Sequence, residues 1–407
     1  MQKSVFCVLF WLVCHVFLVA QTTVDLEVHY KFDGTLDDEY SNSTAVSQDG
    51  SAEFGCGVRG GALRLDGNAG QGVLIFGQEV NNLFKISDFS LSFYFKSTAF
   101  NQTRDIIAKR AECDQDSAFA IRYSPASATL VAEVSESVNK SASAQYKLDA
   151  AQCWHHITVV RDHTRTLLYV DGLFVKQSSI ATVINLTNDA PLTLAAGPCL
   201  ATTDEAFKGY IDDLRIYSRA LKNDEIIQLY DRPDHIATRD TIVYINDLVQ
   251  TDITNTCAIN FIWTPDIYLN TPYIAEPLMT FPEAGEFEYV VQMDDNECIA
   301  YDTLRVKVVD PSTLDCKTLY VPSAFTPNTD NNNPVFGISN AIVVQDFISF
   351  EVFDRWGNRV FKASSAADTW DGSYNGKAVN SGVFLYLIKY RCNGEELSKT
   401  GAVTVIR

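Results

Sequence analysis

The sequence predicts an all-β chain, one large two-sheet sandwich followed by two small sandwiches. Apolar residues alternate with polar ones at period two along much of the 407 residues, and the three-to-four spacing of an amphipathic helix is almost absent. Gly, Asn, Asp and Pro cut these runs into segments of strand length. The cysteines are spread along the chain outside any C-x-x-C pair, the pattern of an exported protein with disulfides rather than of a zinc protein.

The first residues, MQKSVFCVLFWLVCHVFLVAQ, set Lys3 ahead of an apolar run from Val5 to Ala20. That is the pattern of a secretory signal peptide over residues 1–20. No later stretch is apolar enough to span a bilayer, so a soluble exported chain without a membrane span is expected.

Residues 21–232 make the large unit. Within it HHITVVRDHTRTLLYVDGLFVKQ predicts a three-stranded meander. Ile157 and Val159 alternate with Thr158 and Val160, a turn follows, and Asp171-Gly172 closes the second hairpin, a dipeptide that signals hairpins strongly. The single helix expected lies in SRALKNDEIIQLYDRP: Asp224 and Glu225 fall in an early turn, Ile226, Ile227 and Leu229 make the apolar face, and Pro233 follows the end.

Residues 233–311 predict strands near 259–263, 286–292 and 303–309 between Pro-rich loops, the spacing of a small immunoglobulin-like sandwich with Trp263 in its core. Residues 312–407 predict a third sandwich. Its turns fall at 328–333, Trp356-Gly357, Asp371-Gly372, Asn375-Gly376, Ser381-Gly382 and Asn393-Gly394. Here FDRWGNRVF predicts a hairpin with Trp356 at its tip, where an exposed indole invites aggregation unless it packs locally or a partner reads it.

The balance of 32 basic against 51 acidic residues gives a net charge of −19, which repels nucleic acid and anionic lipid and suits solubility and cation binding. Loss of the leader removes Cys7 and Cys14 from the ten cysteines. Cys56, Cys113, Cys153 and Cys199 then fall in the first unit, Cys257 and Cys298 in the second, Cys316 and Cys392 in the third. Pairs Cys257–Cys298 and Cys316–Cys392 are expected as the only choices within their units, while three connectivities stay open in the first.

CWHHITVVRD, LLYVDG and AFKGYIDDLRIYSRALKNDEIIQLY, with VHYKFDGTLDDEYSN and GGALRLDG ahead of them, resemble the laminin-G-like, concanavalin A-like jelly roll over residues 24–232. The resemblance implies a sandwich whose members bind glycans or matrix proteins, with the first and last strands side by side. It makes Asp33 of the FDG turn and Asp212 of YIDDLRIY, with Asp213 beside it, candidate ligands for Ca²⁺, which favours hard carboxylates. WTPDIYLNTPYIAEP and ECIAYDTLRVKV resemble the PKD or Ig-like repeats that space the parts of bacterial surface proteins.

YVPSAFTPNTDNNNPVF, FEVFDRWGNRVF, TWDGSYNGKAVNSGVFLYLIKY and GAVTVIR resemble the C-terminal sorting domain of the type IX secretion system, in its gliding motility-associated type B form. This implies that Arg355, Trp356, Gly357, Trp370, Asp371, Gly372 and the last strand through Arg407 form the surface read by the outer-membrane export machinery. Where the family has Gly and Asp after FTPN this chain has Thr329 to Pro334, which weakens any cation site in that loop.

His155 and His156, beside Trp154, are expected to be structural, because the sequence supplies no further ligand or orienting carboxylate. G-x-S-x-G, H-E-x-x-H and phosphate-loop motifs are absent. The expectation is a non-enzymatic surface or secreted binding protein whose partners are an extracellular glycan or surface protein and the type IX machinery. The alternatives are a glycan-active hydrolase or accessory carbohydrate-binding subunit, and a self-assembling surface component.

Overall fold

In the computed structural model of the chain, which describes residues 21–47, 52–68, 74–98, 103–195, 197–199, 206–328 and 333–407, the alternating segments of the first unit become strands of two antiparallel sheets. The expected signal peptide and residues 329–332 of the FTPN loop lie outside the described residues. The first sheet runs Leu173–Ser179, Arg165–Val170, His155–Asp162, Phe89–Ser97, Lys208–Tyr217, Gly60–Asp66, Glu53–Gly57. Leu26–Tyr30 also pairs with Lys208–Tyr217, so the first and last strands are neighbours. The second sheet runs Lys140–Lys147, Thr129–Ser137, Ala118–Ser124, Arg104–Lys109, Thr193–Leu194, Leu74–Phe76, Ala45–Ser47.

The inward residues of both sheets make one core, with Leu63, Phe93, Phe95, Ile107, Phe119, Ile121, Leu168 and Ile211 fully buried. Phe84, Phe89 and Phe119 pack with ring centroids 4.7, 5.3 and 5.5 Å apart, the tilted and edge-on contacts that aromatic quadrupoles favour. The meander is present in register: Val159 faces Leu168 and Leu167 faces Gln177. Asp171 and Gly172 take φ of 51° and 75°, the paired left-handed conformation of a type I′ turn. The helix is short, Asn223–Gln228. Glu225 accepts from the Lys222 N–H at 2.9 Å and from Arg219 at 2.7 and 2.8 Å, fixing its start.

The chain divides into two compact units. The first ends at Asp240 and resumes over Val249–Met279 and Glu288–Arg305; the second comprises Thr241–Leu248, Thr280–Phe287 and Val306–Arg407. The segment 233–311 is therefore shared between units rather than standing as a third. In the first unit Asn260–Thr264 lies antiparallel to the 290–294 stretch, and in the second Thr241–Tyr244 lies parallel to the 306–309 stretch. Trp263 is buried, as expected of a core residue, and its Nε1 donates to Ile274 O at 3.0 Å.

The disulfides correct the expected pairing. Cys257 and Cys298 do not join each other: Cys257 bonds Cys56 and Cys298 bonds Cys153, over separations of 201 and 145 residues. Elimination within presumed units fails because both cysteines of the middle segment face the jelly roll. Cys113–Cys199 closes the first unit's set, and Cys316–Cys392 spans the second unit.

In the second unit a five-stranded sheet runs Ala324–Phe325, Glu395–Val405, Gly382–Cys392, Asp346–Phe353, Arg359–Lys362, beside a two-stranded Ser373–Tyr374, Lys377–Ala378 hairpin. Phe325, Phe336, Phe350, Trp370, Tyr386 and Ile388 form its core.

Candidate functional site

The two expected Ca²⁺ ligands grip one turn, Asp33 from the bend after Leu26–Tyr30 and Asp212 from the strand Lys208–Tyr217. Asp33 Oδ1 accepts from Gly61 N–H at 2.6 Å and Asp212 Oδ2 from Arg59 N–H at 2.9 Å, so both hold the hairpin between Glu53–Gly57 and Gly60–Asp66. Asp212 is fully buried and its Oδ1 has no hydrogen-bond partner among the described residues; burial pushes its carboxyl up to about 7. Asp213 is a structural anion. Burial alone would raise its carboxyl, but His29 at 2.6 Å, Arg215 at 3.0 Å and Arg59 at 3.1 Å hold it below the usual range. Among the described residues the group of three or more ligating side chains close enough to share an ion is Asp88, Asp162 and His163, which includes neither Asp33 nor Asp212.

The histidines gain a carboxylate that sequence did not supply. Asp171 Oδ2 lies 3.0 Å from His155 Nδ1, and its Oδ1 accepts from His156 N–H at 2.8 Å. His156 is buried, 2.8 Å from Ser92 Oγ, with the Tyr94 ring 4.6 Å away. Burial depresses it to about 4. Both imidazoles lock strands together.

A polar recess absent from the sequence reading lies on the face of the second sheet turned away from the core. Along Arg104–Lys109, Ala118–Ser124 and Thr129–Ser137 the core takes Ile107, Ile121, Phe119, Ala132 and Val134, so the alternate positions point outward. There Arg122 donates to Asp105 Oδ1 at 3.0 Å and to Glu133 Oε2 at 2.5 Å, while Gln115 Nε2 donates to Glu133 Oε1 at 2.6 Å. Burial pushes the Asp105 carboxyl up, against the pull of Arg110 and Arg122. Arg104, Arg110, the Cys113–Cys199 bridge, Ala195 and Gly197 complete a recess of about 380 Å³. Charged residues at outward positions of three successive apolar strands were the available signal.

In the C-terminal unit the expected export residues separate into two kinds. Trp370 is 1% exposed, packs on Phe325 and Phe384, and its Nε1 donates to Ser373 O at 2.8 Å, so it is core rather than surface. Asp371 Oδ1 closes the turn by accepting from Ser373 N–H and Oγ at 2.8 and 2.6 Å. Arg407 clamps that turn, donating to Gly372 O at 2.9 Å, Val379 O at 2.9 Å and Pro327 O at 3.3 Å. Trp356 is 78% exposed. Its hairpin is fixed by Asp354, which accepts from Trp356 N–H at 2.8 Å and from Asn358 N–H at 2.9 Å, with Gly357 at φ 83°. Arg355 lies 5.4 Å from the Trp356 ring centroid. Phe353 faces Leu385, which faces Ala402, and Gly382 faces Val405; the Trp356 tip and the Arg407 clamp thus share one end of the sheet.

Comparison with known proteins fits this division. Residues 66–227 match the family described as the concanavalin A-like lectin/glucanases superfamily, and residues 319–405 match the CHU_C type IX secretion signal domain. The chain carries both domains. No curated protein matches. Among solved structures, domain 4 of AbnA, a GH43 extracellular arabinanase from Geobacillus stearothermophilus in complex with arabinotriose, is 20% identical, with a TM-score of 0.40, covering 50% of this chain and 98% of that one. The Ruminococcus gnavus IT-sialidase CBM40 bound to α2,3-sialyllactose is 12% identical, with a TM-score of 0.35, covering 41% and 95%. A botulinum neurotoxin type C structure, titled for cell entry dependent on two ganglioside molecules, is 12% identical, with a TM-score of 0.44, covering 95% and 94%.

Proposed function

We propose that the chain is a non-enzymatic glycan-binding protein, displayed on the cell surface or released after export through its type IX signal domain. Export follows from the C-terminal domain; the binding reading is supported by the recess on the outer face of the second sheet. Arg122, Asp105, Glu133 and Gln115 are fixed to one another before any ligand arrives. Pre-fixed planar polar side chains in a recess recognise hydroxyl-rich ligands without a large ordering cost. A glycan array probed with the full exported chain tests it. Binding that Arg122→Ala removes supports the reading, and an array without signal overturns it.

The alternative of a glycan hydrolase needs two carboxyl groups roughly 5–10 Å apart across a groove. Asp105, which lines the recess, and Glu133 beside it are both engaged by Arg122, which favours binding over cleavage.

A Ca²⁺ ion at Asp212 belongs to the same proposal. Its buried, unpartnered Oδ1 is the observation that fits a hard cation. Asp212 would hold the ion, which would neutralise its carboxylate, and Asp33 would contribute by holding the turn. Calorimetry in Ca²⁺ and in chelator tests this: an ion at a hundredfold its Kd stabilises by about 2.7 kcal/mol. An unchanged melting temperature at millimolar Ca²⁺ removes the ion.

A further inference from the structure

Among the described residues, one cation of the recess, Arg110, has no carboxylate hydrogen-bonded to it. Arg110 follows the strand Arg104–Lys109, is 5% exposed, and lines both the 380 Å³ recess and a neighbouring one of about 640 Å³. One edge of its guanidinium is tied down: Nη1 donates to Asp114 O at 3.3 Å and to Cys199 Sγ at 3.6 Å. The other edge, Nε and Nη2, is buried and has no hydrogen-bond partner among the described residues. Buried N–H groups left without acceptors are unfavourable, the more so on a charged group, and this pair forms the side-on fork whose two parallel donors match the two oxygens of a carboxylate. The two acids in the lining of the 380 Å³ recess bond other groups. Asp105, with Glu133, holds Arg122, and Asp114 Oδ1 accepts from Asp116 N–H at 3.0 Å.

We propose that this recess binds a carboxylate-bearing saccharide, a sugar acid whose carboxylate is taken by the Arg110 fork. The proposal rests on the glycan-binding reading and adds the chemical class of the ligand. A single carboxylate suits the recess better than a phosphate or sulfate ester cluster, because its wall sets Asp105 and Asp114 against Arg104, Arg110 and Arg122, a small excess of positive charge. The bridge Cys113–Cys199, with both cysteines in the wall, holds the fork in place before the ligand arrives.

The test is calorimetric titration of the full exported chain. Oligogalacturonate is compared with its methyl ester, and sialyllactose with lactose, so that uronic and sialic acids are separate arms and each has a neutral control. One acid should bind at least about tenfold more tightly than its neutral counterpart, the loss expected when a charged hydrogen bond goes. Arg110→Lys keeps the charge but loses the fork, and should remove that preference. Gly197→Leu fills the recess without altering Arg110, since a Cβ there meets Asp105 Oδ2 at 3.4 Å and Ala108 Cβ at 3.5 Å; it should abolish binding even where Arg110→Lys does not fold. Equal affinity for acid and ester overturns the sugar-acid assignment and leaves the glycan reading standing. Acid binding that survives both variants places the ligand elsewhere and overturns it too. Absence of binding to every saccharide overturns the glycan reading itself.

Discussion

Trp356 and Trp370 carry the same side chain in one small sandwich and do opposite things. Trp370 plugs the core, whereas Trp356 stands in solvent on a hairpin held by Asp354. Trp356→Ala is therefore expected to change stability by no more than about 0.5 kcal/mol, as exposed substitutions do, while export falls if the indole is read. Trp370→Ala should cost about 3–5 kcal/mol. Melting of the purified variants beside export assays separates the two, and normal export of folded Trp356→Ala would remove its recognition role. His156 makes the pH prediction. Its folded value near 4 lies below the ordinary 6.5, so its contribution is fully present above pH 6.5 and is lost as pH falls toward 4. The loss is at most about 3 kcal/mol. Denaturation of His156→Gln should show a shallower decline across that window, and an identical decline would assign the acid sensitivity elsewhere. The histidine pair was legible as structural. Asp171, its partner, was legible only as a turn residue, because nothing in a hairpin dipeptide says which strand its side chain will cross to.

At the scale of elements, the middle segment is joined to the jelly roll covalently and by a buried ion pair. Lys96, 3% exposed on the strand Phe89–Ser97, donates to Asp295 Oδ2 at 2.6 Å and lies 4.4 Å from the Tyr210 ring centroid. Asp295→Ala leaves Lys96 with Glu297 at 3.6 Å as its remaining carboxylate, so the loss of the close partner should destabilise by about 1–3 kcal/mol. The double change Lys96→Met with Asp295→Ala should recover a large part of that. Urea unfolding of the three proteins checks it, and additive losses would show that the pair is not coupled. The strands themselves were readable: those expected near 259–263 and 303–309 are Asn260–Thr264 and Ile299–Val309. Their attachment was not, since period-two alternation marks which face is buried but not what buries it.

For the whole molecule, the export signal is contiguous. The five-stranded sheet and the Cys316–Cys392 bridge lie within residues 316–407. Fused to an unrelated periplasmic passenger, that stretch should carry it across the outer membrane of a host with the type IX machinery, and deletion should abolish export. Normal export of the deletion would end the sorting role. Tyr244 OH donates to Ile342 O, so deletion also strips a partner from the strand Thr241–Tyr244 and should loosen it, as hydrogen exchange would show. The all-β class, the meander, the jelly roll and the export domain were determined by the sequence alone, because alternation, turn dipeptides and ordered motifs are local properties that survive without coordinates. Three features were decided only by tertiary structure: the exchange of the expected Cys257–Cys298 bond for Cys56–Cys257 and Cys153–Cys298, the burial of Trp370 against the exposure of Trp356, and the recess around Arg110. Each depends on which residues distant in sequence become neighbours in space, and neither period nor spacing encodes that.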